Sequence, residues 1–125
     1  MNEPITAIAV ALAGGVGAIW RYVADSYVSR RFGKVAPIGT ISVNVAGSFV
    51  LGLVAGLAAH HGISSRYEDV IGVGFCGGLT TFSTASFETI RLLREGFYRV
   101  GVATALGGLT ISCVAGALGL GFALL

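Results

Sequence analysis

Charge is what this 125-residue sequence has least of. Asp, Glu, Lys and Arg together make up 11% of it, against roughly a quarter in an ordinary globular domain. That excludes a soluble protein with a solvated charged surface. The net charge is only +2 and the basic residues form no stripe, so no nucleic-acid partner is expected. Cysteine occurs twice, as does proline. Cys76 and Cys113 form no Cys-x-x-Cys motif, so neither zinc nor a redox dithiol is suggested, and both read as small buried hydrophobes. His60 and His61 lack Cys or carboxylate partners at ligand spacing, so no metal centre is expected there. Gly-x-Ser-x-Gly, His-Glu-x-x-His and a phosphate-cradling loop are all missing, and no constellation looks enzymatic. The N-terminal stretch lacks a basic segment, so the first apolar run is expected to stay rather than leave as a signal peptide.

What is present is apolar and rich in glycine. Hydrophobic residues reach 54%, glycine occurs 20 times, and mean hydropathy is +0.85. A membrane-crossing helix needs about 20 mostly apolar residues. Four segments qualify: 4–27, 37–59, 70–93 and 100–125. The connections are short and leave no room for a soluble domain, so the chain reads as one four-helix transmembrane domain. Gly52 and Gly56 form a G-x-x-x-G, and Gly14, Gly15 and Gly17 cluster in the first span. Such spacing lets helices approach closely, within the subunit or between subunits. Four helices this small do not enclose a wide aqueous passage, so a solute route between subunits, and hence an oligomer, is the natural expectation.

Four spans put both termini on one side. That side holds Glu3, Arg66, Glu68 and Asp69; the other holds Arg30, Arg31, Lys34, Arg94, Glu95 and Arg99, with Arg91 close by. The excess of lysine and arginine would place the second side in the cytoplasm.

The polar residues inside the spans carry the functional information. The stretch "GFCGGLTTFSTASFE", 74–88, reads badly as a membrane helix. Gly77-Gly78 permits unusual backbone angles, and non-helical backbone at membrane depth must be buried in protein or line a cavity. The hydroxyls of Thr80, Thr81, Ser83 and Thr84 either re-satisfy freed carbonyls or line an ion path. Asn44 lies well inside an uncharged span, where an amide ordinarily bonds a neighbouring helix. Thr40 and Ser48 stand one turn either side of it, giving a polar stripe on one helix face. Arg21 and Asp25 are spaced to pair; Arg21 also suits snorkelling or a positive lure for an anion. Glu88 carries the same ambiguity near the far end of the third span.

Three stretches together, "GGVGAIWRY" (14–22), "GTISVNVAGSFVLG" (39–52) and "GFCGGLTTFST" (74–84), resemble the Fluc/CrcB fluoride ion channel family across the whole chain. The resemblance implies an all-α membrane protein with the third helix broken at its middle, in a dual-topology antiparallel dimer with two fluoride pathways along its interface. It implies residence in the cell (inner or plasma) membrane. It also implies a structural Na+ at the dimer centre, held by carbonyls matching Gly77 and Thr80, with the glycines bending the backbone. Asn44 would donate within the pathway, and Phe82 would present its positive ring edge to fluoride. Ser83, Thr84 and Glu88 match the polar track, Arg21 matches a vestibule arginine, and Thr40 and Ser112 are further pathway hydroxyls.

The chain departs from the family pattern at Ala85, where a second phenylalanine is usual, and at Thr104 and Gly108, where a tyrosine and a serine are expected. Phe87 is not a simple replacement, because it lies on a different helix face. A passive fluoride-selective channel that relieves fluoride toxicity is therefore the leading reading, as a homodimer or as a heterodimer with a related subunit. A non-conducting or partly degenerate subunit of such a pair is an alternative. A small proton-coupled multidrug-type exporter is another, although it wants a carboxylate deep in a span, and Asp25 and Glu88 lie near span ends.

Overall fold

The structure is a computed structural model that describes residues 3–32 and 35–125; Lys34 lies outside the described residues. The described elements are helical. α1 (Glu3–Arg31) and α2 (Ile38–His60) are continuous. The third span is composite: α3 (Ser65–Tyr67), a π-helical stretch (Glu68–Cys76), α4 (Gly77–Leu79) and α5 (Ser83–Arg94). α6 (Tyr98–Ala123) closes the chain. Four helical segments, Glu3–Arg31, Ile38–His60, Ser65–Arg94 and Tyr98–Ala123, are long and apolar enough to cross a membrane.

Local chemistry sets the turns. α5 ends at Gly96, whose φ of 87° suits a residue without Cβ. There the Phe97 N–H donates to the Leu92 carbonyl and the Gly96 N–H to the Leu93 carbonyl, which is the Schellman pattern that closes a helix and reverses the chain. Gly62, at φ 71°, follows the end of α2 in the same way. Ser64 accepts from the Arg66 N–H and starts the third span. His61 contacts the Ala123 carbonyl and so ties the end of α2 to the end of α6.

Glycines decide which helices touch. A Cβ at Gly52 would strike the Gly116 backbone, and one at Gly119 would strike the Phe49 carbonyl. The G-x-x-x-G of α2 therefore packs against α6 within the subunit, the first of the two roles such spacing permits. On the other side, Gly17 lies against the Phe75 carbonyl and Gly78 against the Gly14 carbonyl, so α1 seats directly on the broken span. The buried centre is small: Val43, Val54, Cys76, Leu79, Leu92, Ala115 and Ala123, with Thr40 as its polar member. Cys76 is buried as expected, but Cys113 is exposed. α6 is apolar on all sides, so its sequence pattern does not mark which face turns inward.

Candidate functional site

The third span breaks between Leu79 and Ser83. The residue that breaks it is Thr80, extended at φ −86° and ψ 161°. This corrects the expectation that Gly77-Gly78 bends the backbone. Gly77 is helical, at φ −62° and ψ −38°, and Gly78 sits within α4. Gly78 is needed for its missing side chain, because α1 passes where a Cβ would stand. Before the break the chain runs as a π-helix over nine residues, a rare form that often occurs at functional sites.

A break at membrane depth frees backbone groups that lipid cannot satisfy. Side chains take several of them. Asn44 faces Thr81 with both ends of its amide: Nδ2 donates to the Thr81 carbonyl at 3.0 Å, and Oδ1 accepts the Thr81 N–H at 2.7 Å. Thr81 Oγ1 in turn accepts the Thr84 N–H at 3.1 Å and donates to Thr84 Oγ1 at 3.1 Å. It thereby satisfies an N–H in the first turn of α5, whose N-terminal donors have no intrahelical partner. Thr80 Oγ1 donates back to the Cys76 carbonyl at 2.8 Å. Arg21 donates its Nε–H to the Gly78 carbonyl at 3.1 Å. Asp25 accepts from Ser29, and among the described residues no ion pair joins it to Arg21, so the expected Arg21–Asp25 pair does not form.

In a regular helix the Gly77 carbonyl would accept from Thr81 and the Thr80 carbonyl from Thr84. Those two N–H groups go instead to Asn44 Oδ1 and Thr81 Oγ1. The Gly77 and Thr80 carbonyls thus lose their ordinary donors, and both residues line an open groove.

That groove, of about 830 Å³, runs between α2, the broken span and α6. It gathers most of the residues singled out in the sequence. Thr40, Asn44 and Ser48, the polar stripe of α2, line it together with Phe82, Ala85 and Ser112. Phe82 is 87% exposed, more than any other large apolar side chain among the described residues except Leu125. Thr104 and Gly108 also line the groove, so the three positions that depart from the expected pattern border the same space as Phe82. Thr104 Oγ1 donates to the Gly101 carbonyl. Phe87 is exposed and does not line the groove.

A second cavity, of about 210 Å³, lies beside it and is lined by Arg21, Asp25, Thr40, Thr81 and Thr84 among others. Thr40 is 2% exposed and borders both spaces, yet its Oγ1 has no partner. Glu88 Oε1 is likewise buried without a partner. Ser83 is exposed, and its hydroxyl lies 3.3 Å from Thr81 Oγ1. Sequence reading missed Ser86 and Thr89, which line the groove; their i, i+4 spacing from Phe82 and Ala85 is the signal that finds them. It also quoted Thr81 without seeing that Thr81 is the hub of the break.

A family profile for CrcB-like proteins (camphor resistance, CrcB) matches residues 8–120. The chain is 45% identical over 117 residues to "Fluoride-specific ion channel FluC 1" of Leifsonia xyli subsp. xyli, covering 94% of this chain and 85% of that relative. It is 44% identical over 117 residues to "Fluoride-specific ion channel FluC 2" of Cutibacterium acnes, covering 93% and 95%. With "Fluoride-specific ion channel FluC" of Shewanella baltica the identity is 46% over 87 residues, 70% of each chain. Four helices able to span a bilayer, a break between groove and cavity, and these matches converge: this multi-pass membrane protein, of a kind that resides in the plasma membrane in bacteria and is not an enzyme, belongs to the CrcB-like fluoride channel family.

Proposed function

We propose that this chain is the subunit of a passive, fluoride-selective channel, formed when two copies cover the groove in antiparallel orientation. The observation that carries this reading is the groove itself. It brings an exposed phenylalanine, an amide and a row of hydroxyls to one wall at the level of the break. The aromatic edge and the hydroxyls are the electropositive and donor groups that a small, strongly hydrated anion needs in place of water. Asn44 retains one amide hydrogen beyond its bond to Thr81. Phe82, Asn44, Thr40 and Ser112 would line the route, Ser83, Thr84 and Glu88 would flank it, and Arg21 would stand at its vestibule. The names of the relatives support fluoride as the ion. Such a leak is protective: fluoride enters acid-exposed cells as neutral HF, ionises and is trapped, so a path for F⁻ alone returns it.

The Gly77 and Thr80 carbonyls fit a structural Na+, because both lose their ordinary donors and both reach the groove wall. A cation there would neutralise carbonyl dipoles brought together by two subunits.

A second reading is favoured by one observation. Ala85, Thr104 and Gly108 all line the one groove with smaller side chains than the family pattern has there, and a Cβ at Gly108 would meet only Ile41, at 3.6 Å. Under this reading the chain is one half of a heterodimer whose partner supplies the missing groups.

The deciding experiment is efflux from liposomes holding the purified chain, recorded with fluoride and chloride electrodes after an ionophore collapses the membrane potential. Fast fluoride release without chloride release is expected of a homodimeric channel. Silence from well-folded protein sinks the homodimer reading, and recovery on adding a related subunit would establish the heterodimer.

A further inference from the structure

Arg21 meets the break through one specific atom. Its Nε donates to the Gly78 carbonyl, 57 residues along the chain. The regular donor to that carbonyl would be the N–H of Phe82, which lies beyond the extended Thr80. Asn44, from α2, holds both backbone groups of Thr81. Side chains from α1 and α2 therefore occupy the carbonyls of Gly78 and Thr81, while the carbonyls of Gly77, Leu79 and Thr80 are without their helical donors.

We infer that Arg21 is a positioning residue for the break: the direction of its Nε–H fixes the Gly78 carbonyl, and with it the backbone turn that leaves the neighbouring carbonyls without their helical donors. Its charge is secondary to this role. The guanidinium Nε–H reaches the Gly78 carbonyl at 3.1 Å, and among the described residues no backbone N–H takes that carbonyl across the break. α1 is seated close enough to deliver this bond because Gly17, Gly74 and Gly78 lack the side chains that would hold the helices apart. That the open carbonyls hold a cation rests on the channel reading above; the bond from Arg21 does not.

Charge and hydrogen-bond direction are separable at this position. Glutamine carries its Nε2 the same number of bonds from the backbone as arginine carries Nε, with no charge. Lysine keeps the charge but has a methylene at that point and its nitrogen one bond further out. Amide hydrogen exchange by mass spectrometry, on the full chain in lipid nanodiscs, reads the break directly through peptides covering 77–85, with peptides of α2 and α6 as reference. Arg21→Ala and Arg21→Lys are expected to raise exchange in 77–85 by about tenfold, the loss of one directed hydrogen bond to the Gly78 carbonyl. Arg21→Gln is expected to restore protection, and the α2 and α6 peptides to stay unchanged in the Lys and Gln variants. If Arg21→Lys is protected and Arg21→Gln is not, Arg21 acts by charge and the inference falls. Equal exchange in every variant, or global unfolding of Arg21→Gln, overturns it as well. Fluoride efflux from the wild-type preparation is recorded in parallel: its absence refutes the channel reading, while the exchange pattern still decides the role of Arg21.

Discussion

Asn44 shows how a single amide serves a membrane helix. Read along the chain, it is a polar residue in an uncharged span, with Thr40 and Ser48 on its face. In the fold both of its polar ends meet Thr81, 37 residues away. Asn44→Ala leaves the half-buried N–H and carbonyl of Thr81 without their side-chain partner. We expect a loss of on the order of 2–4 kcal/mol of stability, visible as a lowered unfolding midpoint in detergent; a variant as stable as wild type would show that the pairing with Thr81 contributes little. Phe82 makes the opposite case. It is exposed, so Phe82→Ala should leave the fold of the subunit intact. It should slow fluoride efflux by tenfold or more, if one ring contact supplies about 1.4 kcal/mol at the barrier. Unchanged efflux would remove Phe82 from the pathway. The stripe 40/44/48 was legible in the sequence because it depends only on helical periodicity. The Thr81 hub was not, because its partner lies on another element.

At the scale of the element, the break and the glycines were both visible, but their relation was misread. The glycine pair marks the segment, while the extended residue is Thr80. Gly78 is required by packing, since a Cβ there would strike the Gly14 carbonyl. Gly78→Ala should therefore destabilise by about 1–3 kcal/mol or more through overpacking. Gly15→Ala, where a Cβ meets open space, should stay within about 0.5 kcal/mol of wild type, as open positions usually do. Size-exclusion profiles and thermal unfolding compare the two; equal effects would refute the close-approach argument. Composition alone does not separate a glycine that bends a chain from one that admits a neighbour. The turns after α2 and α5 do carry a local signal, since Gly62 and Gly96 hold positive φ.

For the molecule as a whole, the groove of about 830 Å³ is largely apolar but carries Asn44 and a set of hydroxyls at membrane depth, which a lone subunit would present to lipid. We expect chemical crosslinking of the purified chain in detergent to trap dimers, and Ser86→Cys at a groove residue, made with Cys113→Ser to remove the exposed native thiol, to resist maleimide labelling in that dimer. Ready labelling would place the interface elsewhere. If the Gly77 and Thr80 carbonyls hold sodium, exchanging sodium for N-methyl-D-glucamine should lower the unfolding temperature by several degrees, as loss of a ligand bound only to the folded state does. An unchanged midpoint counts against the cation.

The sequence by itself determined the membrane class, the four spans, the segment that breaks and the family, since each follows from local composition, hydrophobic run length and a few short motifs. Only the tertiary structure decided which groups meet: Asn44 with Thr81, Arg21 with Gly78, α2 with α6, and Ala85, Thr104 and Gly108 around one groove. These are contacts between residues tens of positions apart. In helices that are apolar on every side, no periodicity in the chain says which face turns toward a neighbour, and the missing Cβ atoms of Gly17, Gly52, Gly78 and Gly119 become informative only once the helices are seen in contact.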